Sequence, residues 1–318
     1  MGNDIDDALA MSLLHSLQTQ GEAELLAVTV SKEHRFAPVL VDIINHFYGR
    51  PDIPIGMVKG GVTPEDKTFL CPVCEAKKTD GTPLFPRRLH NALEAERAVT
   101  LLRRTLARAQ DQSVVAVMIG FATNFAHLFD SGPDEISPLT GLELVARKIK
   151  WFSIMAGNFS PEVIAAPEKY DREYNVHMDI ASSIAFYKRC PRPIVFSGFE
   201  LGDSIRYPVD SILSDFNWCE HHPVAMGYRL YKPMPYDRPC WDPTAILNAV
   251  RPDGGYFGLS PKGCIEVTND GCLHFKESPL GMHRYLTVSS SQRKRILGVF
   301  LAHCPYNPNS VHAAAVGL

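Results

Sequence analysis

The sequence predicts an α/β fold: a mostly parallel sheet flanked by helices, with a small β-hairpin region near the C-terminus. Three observations carry this expectation. Short β-rich runs, each followed by a glycine or a turn, alternate with helical stretches, which is the pattern of βαβ units. Two later runs joined by Asn269-Asp270-Gly271 carry a hairpin signal. A length of 318 residues also lets one domain bury a large core.

The elements follow in chain order. Ala8-Leu9-Ala10-Met11-Ser12-Leu13-Leu14 reads as an amphipathic helix directly after an acidic stretch. Residues 24–30 read as a buried strand, and 36–48 as a helix that ends before the Gly49-Arg50-Pro51 break. Residues 54–88 are rich in Pro, Gly, Lys and Asp with little periodicity, which predicts a long loop insertion. Residues 93–108, rich in Ala, Leu, Glu and Arg, predict a helix. Strands are expected at 113–119, 150–155 and 193–197, with helices near 124–130, 139–146 and 180–187. Runs 264–268 and 272–275 form the hairpin, and a helix over 291–303 closes what reads as a single domain over 1–318. In such parallel sheets ligands bind beyond the carboxyl ends of the strands.

Composition narrows the function. Hydrophobic residues at 45% and charged residues at 21% are ordinary for a globular protein. A net charge of −3, with no basic run or aromatic-basic stripe, argues against a nucleic-acid partner. No apolar stretch reaches the ~18 residues of a membrane span, so no membrane partner is expected, and cytoplasmic localisation is the expectation. The eight cysteines include one motif-like pair, Cys71-Pro72-Val73-Cys74. A zinc ribbon needs a second such pair, and a redox dithiol normally opens a helix. Loop cysteines or a local disulfide are therefore favoured over a metal or redox site.

The most informative segment is Gly2-Asn3-Asp4-Ile5-Asp6-Asp7. Three carboxylates within four positions, opening a helix, suit a hard divalent cation, because calcium takes about 6–8 oxygen ligands. The free N–H groups and dipole of the helix start favour that negative charge. A solvated acidic N-cap run is the plainer reading of the same residues.

Extended to Ala8-Leu9-Ala10, this string resembles the N-terminal signature of the inosine-uridine-preferring nucleoside hydrolase family. That signature reads Asp-x-Asp-x-Gly, a short spacer, then Asp-Asp-x-x-Ala. Asp6 and Asp7 match the paired aspartates that ligate calcium in the family. The Asp-x-Asp part would lie before Met1, so the chain is expected to begin inside the motif, through an internal methionine start or by trimming. The catalytic general base that the resemblance implies would then also precede Met1.

The remaining matches keep the family's order. Gly120-Phe121-Ala122-Thr123-Asn124-Phe125-Ala126 resembles its Gly-x-x-Thr-Asn-x-Ala segment, in which the threonine carbonyl binds calcium; Thr123 also reads as an N-cap. Ile154-Met155-Ala156-Gly157-Asn158-Phe159 resembles a Met-Gly-Gly strand end where a sugar approaches the backbone, although a strand methionine such as Met155 is more often core. Glu173-Tyr174-Asn175 is similar to the family's Glu-Phe-Asn, which implies that Glu173 and Asn175 hydrogen-bond ribose hydroxyls; an exposed acidic turn is the alternative. Asp242, in Trp241-Asp242-Pro243, matches the last calcium aspartate, and Trp241 stands where the family carries a histidine for purine leaving groups.

Two departures stand out. Ser31-Lys32-Glu33-His34 replaces an expected asparagine, and His90 is the nearest histidine to one in the family's long loop. The resemblance implies a Rossmann-like core, a Ca2+ site of Asp6, Asp7, Thr123 and Asp242, and a substrate site of Met155, Asn158, Glu173, Asn175 and Trp241. The implied activity is calcium-dependent hydrolysis of the N-glycosidic bond of a nucleoside or related riboside, with homo-oligomer formation an open expectation. Three rivals remain: a non-catalytic riboside- or sugar-binding member of the same fold, an inactive truncated form, and a phosphatase of the haloacid dehalogenase type. The last needs a lysine and an acidic pair in another order.

Overall fold

The computed structural model describes residues 1–170 and 172–308. Its strands in chain order are β1 (Val28–Lys32), β2 (Ile55–Val62), β3 (Glu96–Arg97), β4 (Val114–Met118), β5 (Ile149–Met155) and β6 (Ile194–Ser197). Then follow β7 (Arg206–Tyr207), β8 (Arg238–Pro239), β9 (Gly258–Leu259), β10 (Gly263–Val267), β11 (Leu273–Glu277) and β12 (Arg284–Thr287). They form two principal sheets, β1-β2-β3 and β4-β5-β6-β12-β9, parallel throughout except for the β12–β9 pair. Two small antiparallel pairs, β7–β8 and β10–β11, complete the sheets among the described residues. The α/β class with a mostly parallel sheet and a C-terminal hairpin is therefore the observed one.

Apolar patterning explains the main elements. Strands covered by helices on both faces need near-continuous apolar runs, and Val114-Val115-Ala116-Val117-Met118 supplies one. A phenylalanine cluster (Phe125, Phe129, Phe152, Phe186) joins the helices Thr123–Phe129 and Ile180–Arg189 to β5, with ring centroids 5.1–5.9 Å apart. A second core gathers around the first helix, Asp6–Thr19, with the helices Ala37–Phe47, Pro223–Tyr231 and Ser290–His303.

The helix Trp241–Val250 packs on both the first helix and β5. A buried polar seam fixes it there. Ser153 Oγ donates to the Ala245 carbonyl at 2.8 Å, Asn248 Nδ2 donates to Ser153 Oγ at 3.0 Å, and Ser197 and Thr244 share a hydroxyl contact of 2.6 Å. Leaving any of these polar groups unpaired would cost about 1–3 kcal/mol, so the seam sets the helix register.

The stretch 54–88, expected as a long loop, instead holds β2 and a short helix, Leu70–Cys74. Gly56, Gly60 and Gly61 weaken the β signal, yet Gly56 is what lets the strand bury. A Cβ there would stand 2.9 Å from the Ala98 Cα of the covering helix. The strand expected at 24–30 begins at Val28, since Glu24 and Leu26 stay exposed. The expected helix 93–108 begins at Ala98, preceded by a single turn, Ala92–Glu94, and by β3.

Candidate active site

The carboxyl ends of β1, β4 and β5, the start of the first helix and the start of Trp241–Val250 surround a cavity of about 360 Å³. Of the residues singled out from the sequence, Asp6, Asp7, Met155, Glu173, Asn175, Trp241 and Asp242 line it. Thr123 and Asn158 do not. Thr123 is buried at the first turn of its helix and donates its hydroxyl to Asp179, while Asn158 accepts the Ser160 N–H at 3.1 Å.

The acidic wall is assembled from opposite ends of the chain. The Asp242 N–H donates to Asp6 Oδ2 at 3.0 Å. Burial pushes the carboxyls of both residues well above the usual range, and repulsion from neighbouring carboxylates adds to it. Asp7 accepts from the Met1 ammonium at 3.1 Å and the Gly2 N–H at 3.2 Å. Asp4 receives the Arg238 guanidinium on both oxygens, with Nε to Oδ1 at 2.8 Å. The donors are thus all-oxygen and carry excess negative charge in a desolvated place, which fits a hard cation in kind. Among the described residues, however, only His34, Asp66 and Cys71 bring three acidic, histidine or cysteine ligand atoms within 4.8 Å of one another. Asp6, Asp7 and Asp242 would have to draw together around a shared ion. Cys71 and Cys74 are both free thiols.

The opposite wall is shaped for hydroxyls. Glu173 caps the short helix Tyr174–His177, and its carboxylate accepts the N–H groups of Gly157 (3.1 Å), Asn175 (2.9 Å) and Val176 (3.2 Å). Burial nonetheless raises its pKa to about 7, because desolvation outweighs the three donors. Asn175 Nδ2 donates to the Met155 carbonyl at 3.1 Å, which turns the amide oxygen toward the other side. Gly157 supports this wall with φ +76°, in the left-handed region.

Aromatic rings close the cavity at two places. Phe121 and Tyr174 meet at 6.0 Å, and Phe199 stacks on Trp241 at 5.4 Å with 28° between planes. Trp241 Nε1 donates to the Phe199 carbonyl at 2.9 Å, so its polar edge is committed to the backbone. Gly202 makes room for the indole, since a Cβ there would lie 2.3 Å from the ring.

The cationic members of the wall are not among the site residues expected from the sequence, although Lys32 stands in one of the departures noted there. Arg238 lies 4.9 Å from the ring centres of both Tyr231 and Trp241 while holding Asp4. Lys32 is buried and donates to Asn3 Oδ1 (2.9 Å), the Thr63 carbonyl (2.5 Å) and the Glu65 carbonyl (2.6 Å). Burial lowers its pKa, opposed by Glu65. A lysine ending an apolar strand was a readable signal for Lys32; nothing local marked Arg238 as the partner of Asp4.

Solved structures share this fold. The chain matches a plant nucleoside hydrolase, the PpNRh1 enzyme, with 16% identity and a TM-score of 0.69, covering 96% of this chain and 98% of that one. A purine-preferring ribonucleoside hydrolase from Gardnerella vaginalis matches with 16% identity and a TM-score of 0.68, covering 96% of each chain. The type III effector protein XopQ, complexed with adenosine diphosphate ribose, matches with 16% identity and a TM-score of 0.64, covering 96% of this chain and 92% of that one. No curated protein matches the chain. The profile described as inosine-uridine preferring nucleoside hydrolase matches residues 1–274. With that profile spanning most of its length, the chain belongs to the inosine-uridine preferring nucleoside hydrolase family, a family of N-glycosyl hydrolases.

Proposed function

We propose that the cavity binds the ribose of a nucleoside or related riboside and that its function is calcium-dependent hydrolysis of the N-glycosidic bond. The single observation that carries this reading is the juxtaposition of Glu173 and Asn175 with Asp6, Asp7 and Asp242 across one cavity. A carboxylate beside an amide suits vicinal hydroxyls, which both donate and accept. Asp6, Asp7 and Asp242 would hold the cation. Bound there, calcium supplies positive charge that favours ionised water and ionised sugar hydroxyls.

The chain's own residues do the rest. Glu173 and Asn175 orient the sugar, and its distortion toward an oxocarbenium-like state aids departure of the base. Phe199 with Trp241, and Phe121 with Tyr174, offer faces on which a base stacks. Trp241 donates its only polar hydrogen to Phe199, so the leaving group receives no proton from this position.

A second reading is a riboside-binding cavity without turnover. Its support is that Arg238 holds Asp4 on both oxygens and that Trp241 commits its indole N–H to the Phe199 carbonyl. One experiment separates the two. The 318-residue chain is titrated with inosine and uridine, with and without calcium, and free base is measured over time. Hydrolysis predicts calcium-dependent binding with base release. Glu173→Ala should weaken binding about tenfold or more, since a hydrogen bond to a charged group is worth about 1.5–3 kcal/mol, and Asn175→Ala about threefold to tenfold, since a neutral one is worth about 0.5–1.5 kcal/mol. Binding with no base release selects the second reading, and no riboside binding under either condition overturns both.

A further inference from the structure

A second cavity, of about 310 Å³, opens beside β2 and β3 and shares no lining residue with the first. Its character is opposite: the described residues that line it include no carboxylate. Part of its wall is Ala98, Val99 and Thr100, the first turn of the 11-residue helix Ala98–Arg108. The N-cap, Arg97, makes no side-chain hydrogen bond to that turn, so the first N–H groups have no side-chain acceptor. Those N–H groups and the helix dipole form a positive end.

Three basic side chains join it. Lys59 comes from β2 and Arg97 from the end of β3, and both are exposed. His127 comes from the neighbouring helix Thr123–Phe129. Glu96, the carboxylate next to Arg97, is paired with Arg104 instead.

An independent observation points to a ligand. Asn124 lines this cavity, is only 4% exposed, and its Oδ1 has no hydrogen-bond partner in the structure. A protein rarely keeps a buried amide oxygen unpaired unless something beyond its own chain satisfies it. The amide can turn about its last bond to offer an N–H to an oxyanion or its oxygen to a ligand hydroxyl.

We propose that this cavity is a binding site for a phosphate group, either inorganic phosphate or a phosphomonoester that carries hydroxyls. A tetrahedral oxyanion takes donors from several directions. Here they come from a strand, a strand end, a helix start and a second helix. Asn124 adds the neutral group that a bare monovalent anion such as chloride would not need, because chloride has no hydrogen to donate to Oδ1.

The test is ³¹P line broadening and calorimetric titration of the 318-residue chain with inorganic phosphate and, separately, glycerol 2-phosphate, which carries hydroxyls but no ribose for the first cavity, at constant ionic strength. Saturable binding is expected, with a one-to-one stoichiometry. Tighter binding of glycerol 2-phosphate identifies a phosphomonoester site, and equal or tighter binding of inorganic phosphate identifies a free-phosphate site. Lys59→Gln and Arg97→Gln, at exposed positions, should each weaken it about tenfold, while melting temperature and riboside binding in the first cavity stay unchanged. Asn124→Asp should abolish it by placing a negative charge in the wall; unchanged far-ultraviolet dichroism shows that this variant folds. Binding that survives the Lys59→Gln/Arg97→Gln double variant unchanged, or no saturable binding up to millimolar ligand, overturns the proposal.

Discussion

Burial holds the pKa of Glu173 near 7 although three backbone N–H groups pull it down, and this has a measurable consequence. The native state binds this proton more tightly than the unfolded chain, whose glutamate titrates near 4.5. Stability contributed by the protonated form is therefore complete below about 4.5 and is lost as pH rises through about 7. Buried His15 and His283, each lowered to about 4, work in the opposite direction, because they resist protonation as pH falls from 6.5. The two effects overlap, so the whole-protein melt does not isolate Glu173. The difference in melting temperature between the native sequence and Glu173→Gln does. That difference should fall steadily from pH 4.5 to 7 and then level off. A difference that is flat across the window would mean that Glu173 is solvated and ionised throughout.

At the scale of elements, β2 shows how a close approach decides a structure. Its glycine at 56 faces the helix Ala98–Arg108, with a Cβ there predicted to meet the Ala98 Cα at 2.9 Å and Leu101 Cδ2 at 3.1 Å. The first of these neighbours is backbone, so it can yield only if the helix shifts. Gly56→Ala should cost about 1–3 kcal/mol, the range for overpacking a filled core. Urea melts should show a lower midpoint with an unchanged slope. A midpoint equal to that of the native sequence would indicate that the helix slides freely over the sheet. The same helix carries the first turn of the second cavity, so its placement matters to both packing and anion binding.

Across the whole molecule, the acidic wall joins residues 236 positions apart, Asp6 and Asp242. A cation held between the first helix and Trp241–Val250 would tie the two helices together and stabilise the native state by mass action. Saturating calcium at a hundredfold excess over its dissociation constant should add about 2.7 kcal/mol. Thermal melts in calcium and in chelator measure this, and Asp242→Asn should remove most of the difference. Identical melts with and without calcium would sink the metal assignment while leaving the riboside site standing.

Much of this protein could be read locally. The runs at 113–119, 150–155 and 193–197 appear as β4, β5 and β6, and the Asn269-Asp270-Gly271 hairpin lies between β10 and β11. The motif residues Asp6, Asp7, Glu173, Asn175, Trp241 and Asp242 meet in one cavity because each ends a strand or opens a helix, and a parallel sheet gathers such ends on one side. Local pattern could not reveal β2, whose glycines matter only against the helix that covers it. Nor could it show the division into two principal sheets, since strand order depends on pairing between distant segments. The Asp4–Arg238 pair, the burial of Lys32 and the meeting of Lys59, Arg97 and Asn124 were likewise decided only in three dimensions. Periodicity records which face of an element is apolar; which distant charge comes to rest beside it depends on how the elements pack.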